Sequence, residues 1–520
     1  MKDGCLIGLD FGSESARGVL LDAQSGRVLG SLTHAYKHAV MTEALPGGQP
    51  LARGWALQYA PDYTEAAEII LSGLGRNRTI QSIGIGFTAS SPLPCKADGT
   101  PLSALFPDEP HAYVKLWKHQ SAQPWADRIN AVGGDYLSYS GGRLSGEWML
   151  AKAAQIADEA PDLWTATDRF IEAGDWLVWQ LTGNEARSMS FATYKAHYRK
   201  NHGYPRDIVP GLLERQTEPL PIGAPAGQLT PSWLEKTGIL GHPTVAVAII
   251  DSHVAMPALG VVQSGALMGA LGTSAVFLLL DKDGHALPEG IEGMAYSAAI
   301  PGAWCYEAGQ ASFGDLLAWF VRAFPRSDNA AESFNYYNRA ASQLTPGQNH
   351  LLALDWWNGC RVPFGDSGLS GLITGFNMRT TAVDIYRALL EALCFGARTI
   401  VDRMATTGTA IERVVLTGGL TVKNDFLMQL MADVLGRELS IPQLPHPTAI
   451  GAAIHGAVAA GLVEDYAEGA RQFGASEFRT FAPDATVRSI YDDLYRQYGG
   501  MSSNPVVQDV MHGLSSSPTS

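Results

Sequence analysis

Apolar positions along the chain cluster into short buried runs, separated by turns rich in Gly and Ser and alternating with helical periods. Leu6-Ile-Gly-Leu-Asp10-Phe-Gly12-Ser-Glu-Ser-Ala-Arg17-Gly-Val-Leu-Leu-Asp22 predicts strand, tight turn and strand, and residues 5–35 as a whole predict two or three strands. Residues 61–74 carry a helical pattern. Residues 82–87 form a short buried strand ending at Thr88-Ala89-Ser90, and 147–160 and 175–181 are helical again. The Pro- and Gly-rich stretch 203–231 reads as loops on an insertion, and 244–250 as a buried strand ending at Asp251.

The second half repeats this grammar. Residues 266–281 predict paired strands around Gly272-Thr273-Ser274, and 310–324 and 382–404 predict long helices. Residues 413–417 form a strand running into Gly418-Gly419, followed by helices over 424–435 and 448–460. Strands alternating with helices in both halves predict an α/β fold. The two hairpins make a weak internal repeat: Gly8 matches Gly269, but Gly12 matches Gly272 only if the first turn is one residue longer.

At 520 residues the chain exceeds one ordinary core, so two large domains are expected, 1–261 and 262–499, with a Ser-, Gly- and Pro-rich tail over 500–520 expected to be disordered. With 46% apolar and 17% charged residues, both domains can bury substantial cores. The net charge of −14 argues against nucleic acid or a membrane surface as partner. It does not exclude a nucleotide, whose phosphates backbone amides and Mg2+ can meet locally. Cys5, Cys95, Cys305, Cys360 and Cys394 are scattered without a CxxC pair, which predicts neither disulfides nor structural zinc and favours a reducing cytoplasm. No signal peptide is read at the N-terminus. The charge-free stretch between His253 and Asp281 is punctuated by Pro257, Gly260, Gln263, Ser264, Gly265, Gly269, Gly272 and Thr273, so buried strands explain it better than a membrane helix.

Within the first hairpin, Asp10-x-Gly12-x4-Arg17 supplies an acid, a flexible turn and a cation. The carboxylate could hold Mg2+ and Arg17 could reach phosphate oxygens. An ordinary turn with surface charges would carry the same residues. Gly272-Thr273-Ser274 offers amides and hydroxyls for phosphate, although such turns are common. Asp251 ends a buried strand, where α/β proteins place ligand crevices, and could accept a proton from an attacking hydroxyl. The alternative is a helix N-cap. Gly418-Gly419, with Asn424 opening the next helix, would let a base or ribose lie against backbone, or merely serve a turn. His253 reads as a local hydrogen-bonding residue rather than a metal ligand, because no His/Cys cluster accompanies it.

Two motifs mislead. Asp10-Phe-Gly12 spells the magnesium motif of protein kinases, but neither an HRD-type loop nor an upstream Gly-rich loop is present. Gly84-x-Gly86-x-x-Ala89 matches the relaxed dinucleotide fingerprint, yet its glycines fall inside a strand and no long helix opens there.

With those residues in hand, the chain resembles the FGGY carbohydrate kinases over nearly its whole length. Gly371-Leu-Ile-Thr-Gly375-Phe, Asp384-Ile and Ala388-Leu-Leu-Glu391 look like that family's C-terminal signature, with Phe376 where a smaller aliphatic is usual. Within the family it is most similar to the L-ribulokinases. The segments that carry this likeness are His111-Ala-Tyr-Val-Lys115-Leu-Trp117-Lys118-His119, Gly146-Glu147-Trp-Met-Leu-Ala-Lys152, Thr193-Tyr-Lys195-Ala, Tyr306-Glu307-Ala-Gly309-Gln310 and Leu352-Ala-Leu-Asp355-Trp-Trp-Asn358-Gly.

The resemblance implies a two-domain actin-like ATPase (ribonuclease H-like) fold whose lobes close over ATP in a central cleft. It implies Asp251 as catalytic base and Asp10 on the Mg2+ side. Gly12, Ser13 and Arg17, with Gly272, Thr273 and Ser274, become the two phosphate loops. Gly309, Gly418, Gly419 and Asn424 fall in nucleotide-contacting segments, and Ala89, Lys195 and Glu307 join Asp251 in the sugar site. The implied activity is transfer of the ATP γ-phosphate to the 5-hydroxyl of L-ribulose, with D-ribulose, ribitol or D-xylulose as alternatives. An actin- or chaperone-like ATPase is the rival from another class. A small-molecule sugar as partner, a homodimer and a cytoplasmic location complete these expectations.

Overall fold

A computed structural model describes residues 4–515. The first hairpin, β1 (Cys5–Phe11) and β2 (Ser15–Asp22), is antiparallel and extends to β3 (Val28–Ala35). Strand β4 (Ile80–Phe87) lies parallel to β1 on its other side, after the Ala60–Gly75 helix has crossed over. Edge strand β5 (Pro225–Gln228) pairs with β6 (Thr244–Ala246), and β7 (Ile249–Ile250) continues along β4. The order is β3-β2-β1-β4-β6-β5. β1 and β4 are buried on both faces, which explains their continuous apolar runs.

The second sheet is built the same way. β8 (Ala266–Leu271) pairs antiparallel with β9 (Ala275–Asp281), and β10 (Gly293–Tyr296) and β11 (Trp304–Gln310) complete the antiparallel side. β12 (Arg413–Thr417) runs parallel to β8, followed by β13 (Leu439–Pro442) and β14 (Phe478–Phe481). The order β10-β11-β9-β8-β12-β13-β14 repeats the central hairpin with a parallel neighbour. The weak sequence repeat is therefore a repeat of topology. Its one-residue offset is visible in the registers, where Phe11 pairs with Ala16 but Leu271 with Ala275.

Three differences from the sequence reading have physical causes. The stretch 203–231 contains β5, because its Ala226 side chain is buried against the first core and its backbone completes the sheet edge. The helix expected from 310 starts at Gly314, since Gln310 still belongs to β11. The tail expected to be disordered from 500 is instead helical, in Arg488–Ser502 and Pro505–Ser515; residues 516–520 lie outside the described residues. Tyr491 and Tyr498, two turns apart on the first of these helices, and Met511 on the second are buried, and the Tyr498 hydroxyl donates to Asp355 at 2.7 Å.

One connection crosses between the lobes. The Pro447–Ala459 helix follows β13 in the chain but packs on β1 and β4, and Ala449, Ile450, Ala453 and Ile454 belong to the first core. Packing therefore does not respect the expected split at 261/262. A third core, from Met41 to Leu212, lies within the first half and includes the Met149–Glu159 helix.

Candidate active site

Asp251 stands where β7 ends and the Asp251–Val254 helical turn begins. It is half-buried, and its Oδ1 accepts the Ser252 amide at 2.7 Å. Burial, then the charge of Asp10, push its carboxyl up to about 7, against the Ser252 amide and Lys195, which favour the ion. Glu307 adds a further upward push. Charges from both halves of the chain thus converge on one carboxyl.

Asp10 is the penultimate residue of β1, in register with Arg17. Its Oδ2 accepts the Thr448 hydroxyl at 2.5 Å, which ties the first turn to the start of the Pro447–Ala459 helix. Burial raises its carboxyl above the ordinary range, opposed by Thr448, Arg17 and His446. The Gly12 amide closes the turn on the Ser15 carbonyl at 3.0 Å. Ser13 Oγ accepts the Trp117 indole N–H at 3.0 Å, and the Arg17 Nε–H donates to Thr33 Oγ1 at 3.2 Å.

In the second turn, Gly272 and Thr273 are exposed and Ser274 is half-buried. The Gly272 and Thr273 carbonyls accept amides from Phe313, Gly314 and Asp315, which braces the turn against the Gly314–Ala323 helix. Gly418 lies beside it. A Cβ there would stand 2.2 Å from the Leu271 carbonyl oxygen, and its φ of +107° favours glycine. Gly419 faces open space, with nothing within 4 Å of a Cβ position.

Lys195 closes the Met189–Lys195 helix and Glu307 projects from β11; both are half-buried. Glu307 Oε2 is 3.5 Å from His253 Nε2, too far for a good hydrogen bond. Both atoms are buried and lack a hydrogen-bond partner among the described residues. Burial pulls His253 down to about 4, so its ring is neutral, with Nδ1 3.0 Å from the Ser252 hydroxyl. A buried carboxylate oxygen without a donor is costly unless a ligand hydroxyl supplies one. Ala89 is held from behind. Glu172 accepts the Ser90 hydroxyl and the Ser91 amide, each at 2.6 Å, and the Lys152 ammonium donates to the Ser90 carbonyl at 2.8 Å.

Two expected residues are not at an open surface. Gly309 is buried within β11, and the Glu292 carboxylate stands against it, its Oε2 3.4 Å from where a Cβ would be. Asn424 is a buried N-cap that accepts the Leu427 amide at 3.0 Å and donates to Asn338 at 3.0 Å. Several supporting residues escaped the sequence reading: Trp117 behind Ser13, Thr448 against Asp10, Glu172 behind Ala89, and the pair Glu292 and Arg361 beside Glu307. Trp117 and Lys152 lie in segments that signalled the family, but no linear pattern shows what they hold.

Among the described residues, no helix is long and apolar enough to cross a membrane, and no group of three or more His, Cys, Asp or Glu side chains is arranged to hold a metal.

Residues 267–460 match the C-terminal domain model of the FGGY family of carbohydrate kinases. The chain is 39% identical to a ribulokinase of Halalkalibacterium halodurans, over 95% of this chain and 93% of that protein. It is 38% identical to a ribulokinase of Mycolicibacterium smegmatis, over 95% and 92%. Among solved structures, xylulose kinase from Rhodospirillum rubrum superposes with a TM-score of 0.85 at 20% identity, over 98% of this chain and all of that one. Plasmodium falciparum glycerol kinase with ADP superposes with a TM-score of 0.81 at 14% identity, over 96% and 98%. These structural likenesses show the fold, which is the two-lobed actin-like arrangement expected from the sequence.

Proposed function

The chain belongs to the FGGY family of carbohydrate kinases, ATP-dependent enzymes, and from that premise we propose that it phosphorylates the 5-hydroxyl of a ketopentose, L-ribulose. The relatives of similar length that carry the name ribulokinase favour this sugar over D-ribulose, ribitol and D-xylulose. The observation that supports the chemistry best is the meeting of Asp10, Lys195 and Glu307 charges at Asp251.

In this reading Asp251 takes the proton of the 5-hydroxyl as that oxygen attacks the γ-phosphorus. The bond from phosphorus to the β–γ bridging oxygen breaks, and ADP leaves with that oxygen's electrons. Gly12, Ser13 and Arg17 on one side, and Gly272, Thr273 and Ser274 on the other, hold the phosphates. Gly419, with its open face beside Gly418, receives the nucleoside. Lys195 and Glu307 clamp sugar hydroxyls by charge-assisted hydrogen bonds. Mg2+ fits this donor set, because it is held by one or two carboxylates plus phosphate oxygens, and Asp10 stands beside the phosphate turn. Bound there, it neutralises charge on the phosphates.

The deciding experiment is a coupled ADP-release screen over pentuloses and pentitols. Release that depends on L-ribulose supports the reading. Release without any sugar would move the protein to the hydrolytic ATPase class.

The pH profile follows from Asp251. The base works only when ionised, so with its carboxyl at about 7 the sugar kcat/KM falls as pH drops through about 7, tenfold per unit below it. Flat kcat/KM between pH 5.5 and 8 would remove Asp251 from the role of base. Lys195→Ala and Glu307→Ala are each expected to raise the sugar KM about 10- to 100-fold, the cost of one charge-assisted hydrogen bond, with the ATP KM nearly unchanged. Unchanged sugar kinetics in both variants would take them out of the sugar site.

A further inference from the structure

The second phosphate turn brings no cation of its own, because no Lys or Arg lies between His253 and Asp281. The fold brings one to it. Paired residues of an antiparallel sheet share a face, so Val276 and Leu278 of β9 lie on the same face as Gly309 and Glu307 of β11. Leu278 and Cys305 of that face are buried in the first core, whereas Phe277, Tyr306 and Ala308 of the opposite face belong to the second. Glu307 and Gly309 therefore look toward the first lobe.

The register orders this face. Leu278 pairs with Glu307, Val276 with Gly309 and Ala275 with Gln310, and Gly272-Thr273-Ser274 directly precedes Ala275. Gly309 thus stands between Glu307 and the phosphate turn, about 7 Å along the strand from Glu307. On the other side of Glu307 is His253, two residues beyond Asp251, with its Nε2 3.5 Å from Glu307 Oε2. The face therefore leads from the Asp251 turn through Glu307 and Gly309 to the phosphate turn.

Arg361 reaches the middle of this path. The ideal Cβ position of Gly309 is 2.7 Å from the Ala275 carbonyl oxygen, 3.4 Å from Glu292 Oε2 and 3.6 Å from Arg361 Nη1. A side chain at 309 would fill the space in front of the guanidinium. Arg361 Nε and Glu292 Oε1 are 3.9 Å apart, beyond hydrogen-bond distance, so the carboxylate attracts the cation without occupying its donors. The Arg361 side chain is 39% exposed.

Backbone contacts fix the loop that carries it. Cys360 and Asp366 exchange amide–carbonyl hydrogen bonds at 2.8 and 2.7 Å, and the Gly365 amide donates to the Arg361 carbonyl at 2.8 Å. A Cβ at Gly290 would stand 2.4 Å from the Pro363 carbonyl oxygen, so the segment before Glu292 lies directly against this loop. Arg143, from the first half of the chain, reaches the Gly365 carbonyl at 3.4 Å, which places the loop where the halves meet.

We propose that Arg361 donates to non-bridging oxygens of the phosphoryl group as it passes from ATP to the sugar hydroxyl. The inference rests on the kinase reading above, with Glu307 on the sugar side and Gly272-Thr273-Ser274 at the phosphates. Arg361 forms no covalent bond and moves no proton. It is the second lobe's positive charge for a group whose equatorial oxygens carry the charge of the transition state. A guanidinium suits this role because its fork of donors can meet two oxygens at once.

The test compares wild type with Arg361→Ala, Arg361→Gln and Arg361→Lys. Arg361→Ala is expected to lower kcat about 10²- to 10³-fold, with the sugar KM within about threefold of wild type. Titration calorimetry separates a phosphoryl contact from packing. Affinity for an ATP analogue with a β–γ imido bridge should fall about 10-fold, while that for ADP, which has no γ-phosphate, stays within about threefold. Arg361→Lys should recover part of both losses and Arg361→Gln less, because only the former keeps the charge. Equal change, or no change, in the two nucleotide affinities overturns the proposal. So does a raised sugar KM at unchanged kcat, which would move Arg361 to the sugar. If Arg361→Ala does not fold, unchanged kcat in both remaining variants overturns it as well. ADP release by wild type that needs no sugar overturns the functional reading itself. A sugar-dependent wild type with unaffected variants overturns this inference alone.

Discussion

Asp251→Asn is expected to lower kcat by about 10²- to 10⁴-fold, the range of a lost general base. Asn has the shape of Asp and keeps an Oδ1 for the Ser252 amide, so the helical turn at Asp251–Val254 should hold. Its amide cannot take a proton, and the 5-hydroxyl must then be deprotonated by water. Removing a charge that Asp10 disfavours should not harm stability, because burial and Asp10 already oppose ionisation at this position. Nucleotide affinity should stay within about threefold, since the two turns and Gly418-Gly419 are untouched. Coupled ADP release gives kcat, and titration calorimetry with ADP gives the affinity. Turnover near that of wild type would reject Asp251 as the base. Lost nucleotide binding would place the residue with phosphate instead.

Gly84→Ala and Gly8→Ala are expected to have the largest effects on folding. A Cβ at Gly84 would stand 1.7 Å from the Ala452 carbonyl oxygen, and one at Gly8 would stand 1.8 Å from that of Ala449. Both oxygens belong to the backbone of the Pro447–Ala459 helix, so no side-chain rotation relieves the clash. The helix must retreat by more than about 1 Å to reach ordinary contact, opening the core that Ala449, Ala452 and Ala453 fill. Overpacking of this kind costs about 3 kcal/mol or more. The retreat also draws Thr448 away from Asp10, so any protein that folds should lose turnover as well. Thermal unfolding and soluble yield measure the first effect, and ADP release the second. Gly499→Ala serves as the control: nothing lies within 4 Å of its Cβ position, and it sits inside the Arg488–Ser502 helix, where Ala is favoured. Near-native stability in Gly84→Ala would show that the helix does not bear on β4 this closely.

These glycines settle the dinucleotide-like motif. Gly84 and Gly86 lie inside β4, as the apolar run indicated. Gly84 admits helix backbone, and a Cβ at Gly86 would meet the Val254 side chain at 2.8 Å. The pattern arises from packing. A linear reading could reject the cofactor loop, but it could not name the partner, which lies more than 350 residues further on.

Much of the site was legible for local reasons. A buried strand that ends in Asp251, and hairpins that turn through Gly12 and Gly272, are set by apolar runs and turn chemistry over a few residues. The same reasoning failed over 500–515, because few apolar side chains among Ser, Asn, Gln and Gly look like a solvated tail until a surface exists for residues such as Met511 to cover.

The α/β class, the paired hairpins, the acid at the strand end and, through the long family segments, the kinase relationship were all legible in the linear chain. Each of these is written in neighbouring residues. Folding alone brings Thr448 to Asp10, Trp117 to Ser13, Glu172 and Lys152 to the Ala89 loop, and Glu292 and Arg361 to Gly309. Those contacts join residues tens to hundreds of positions apart. Their existence depends on how two sheets and one crossing helix pack, and hydrophobic packing carries no label in the chain that says which distant surface it will meet.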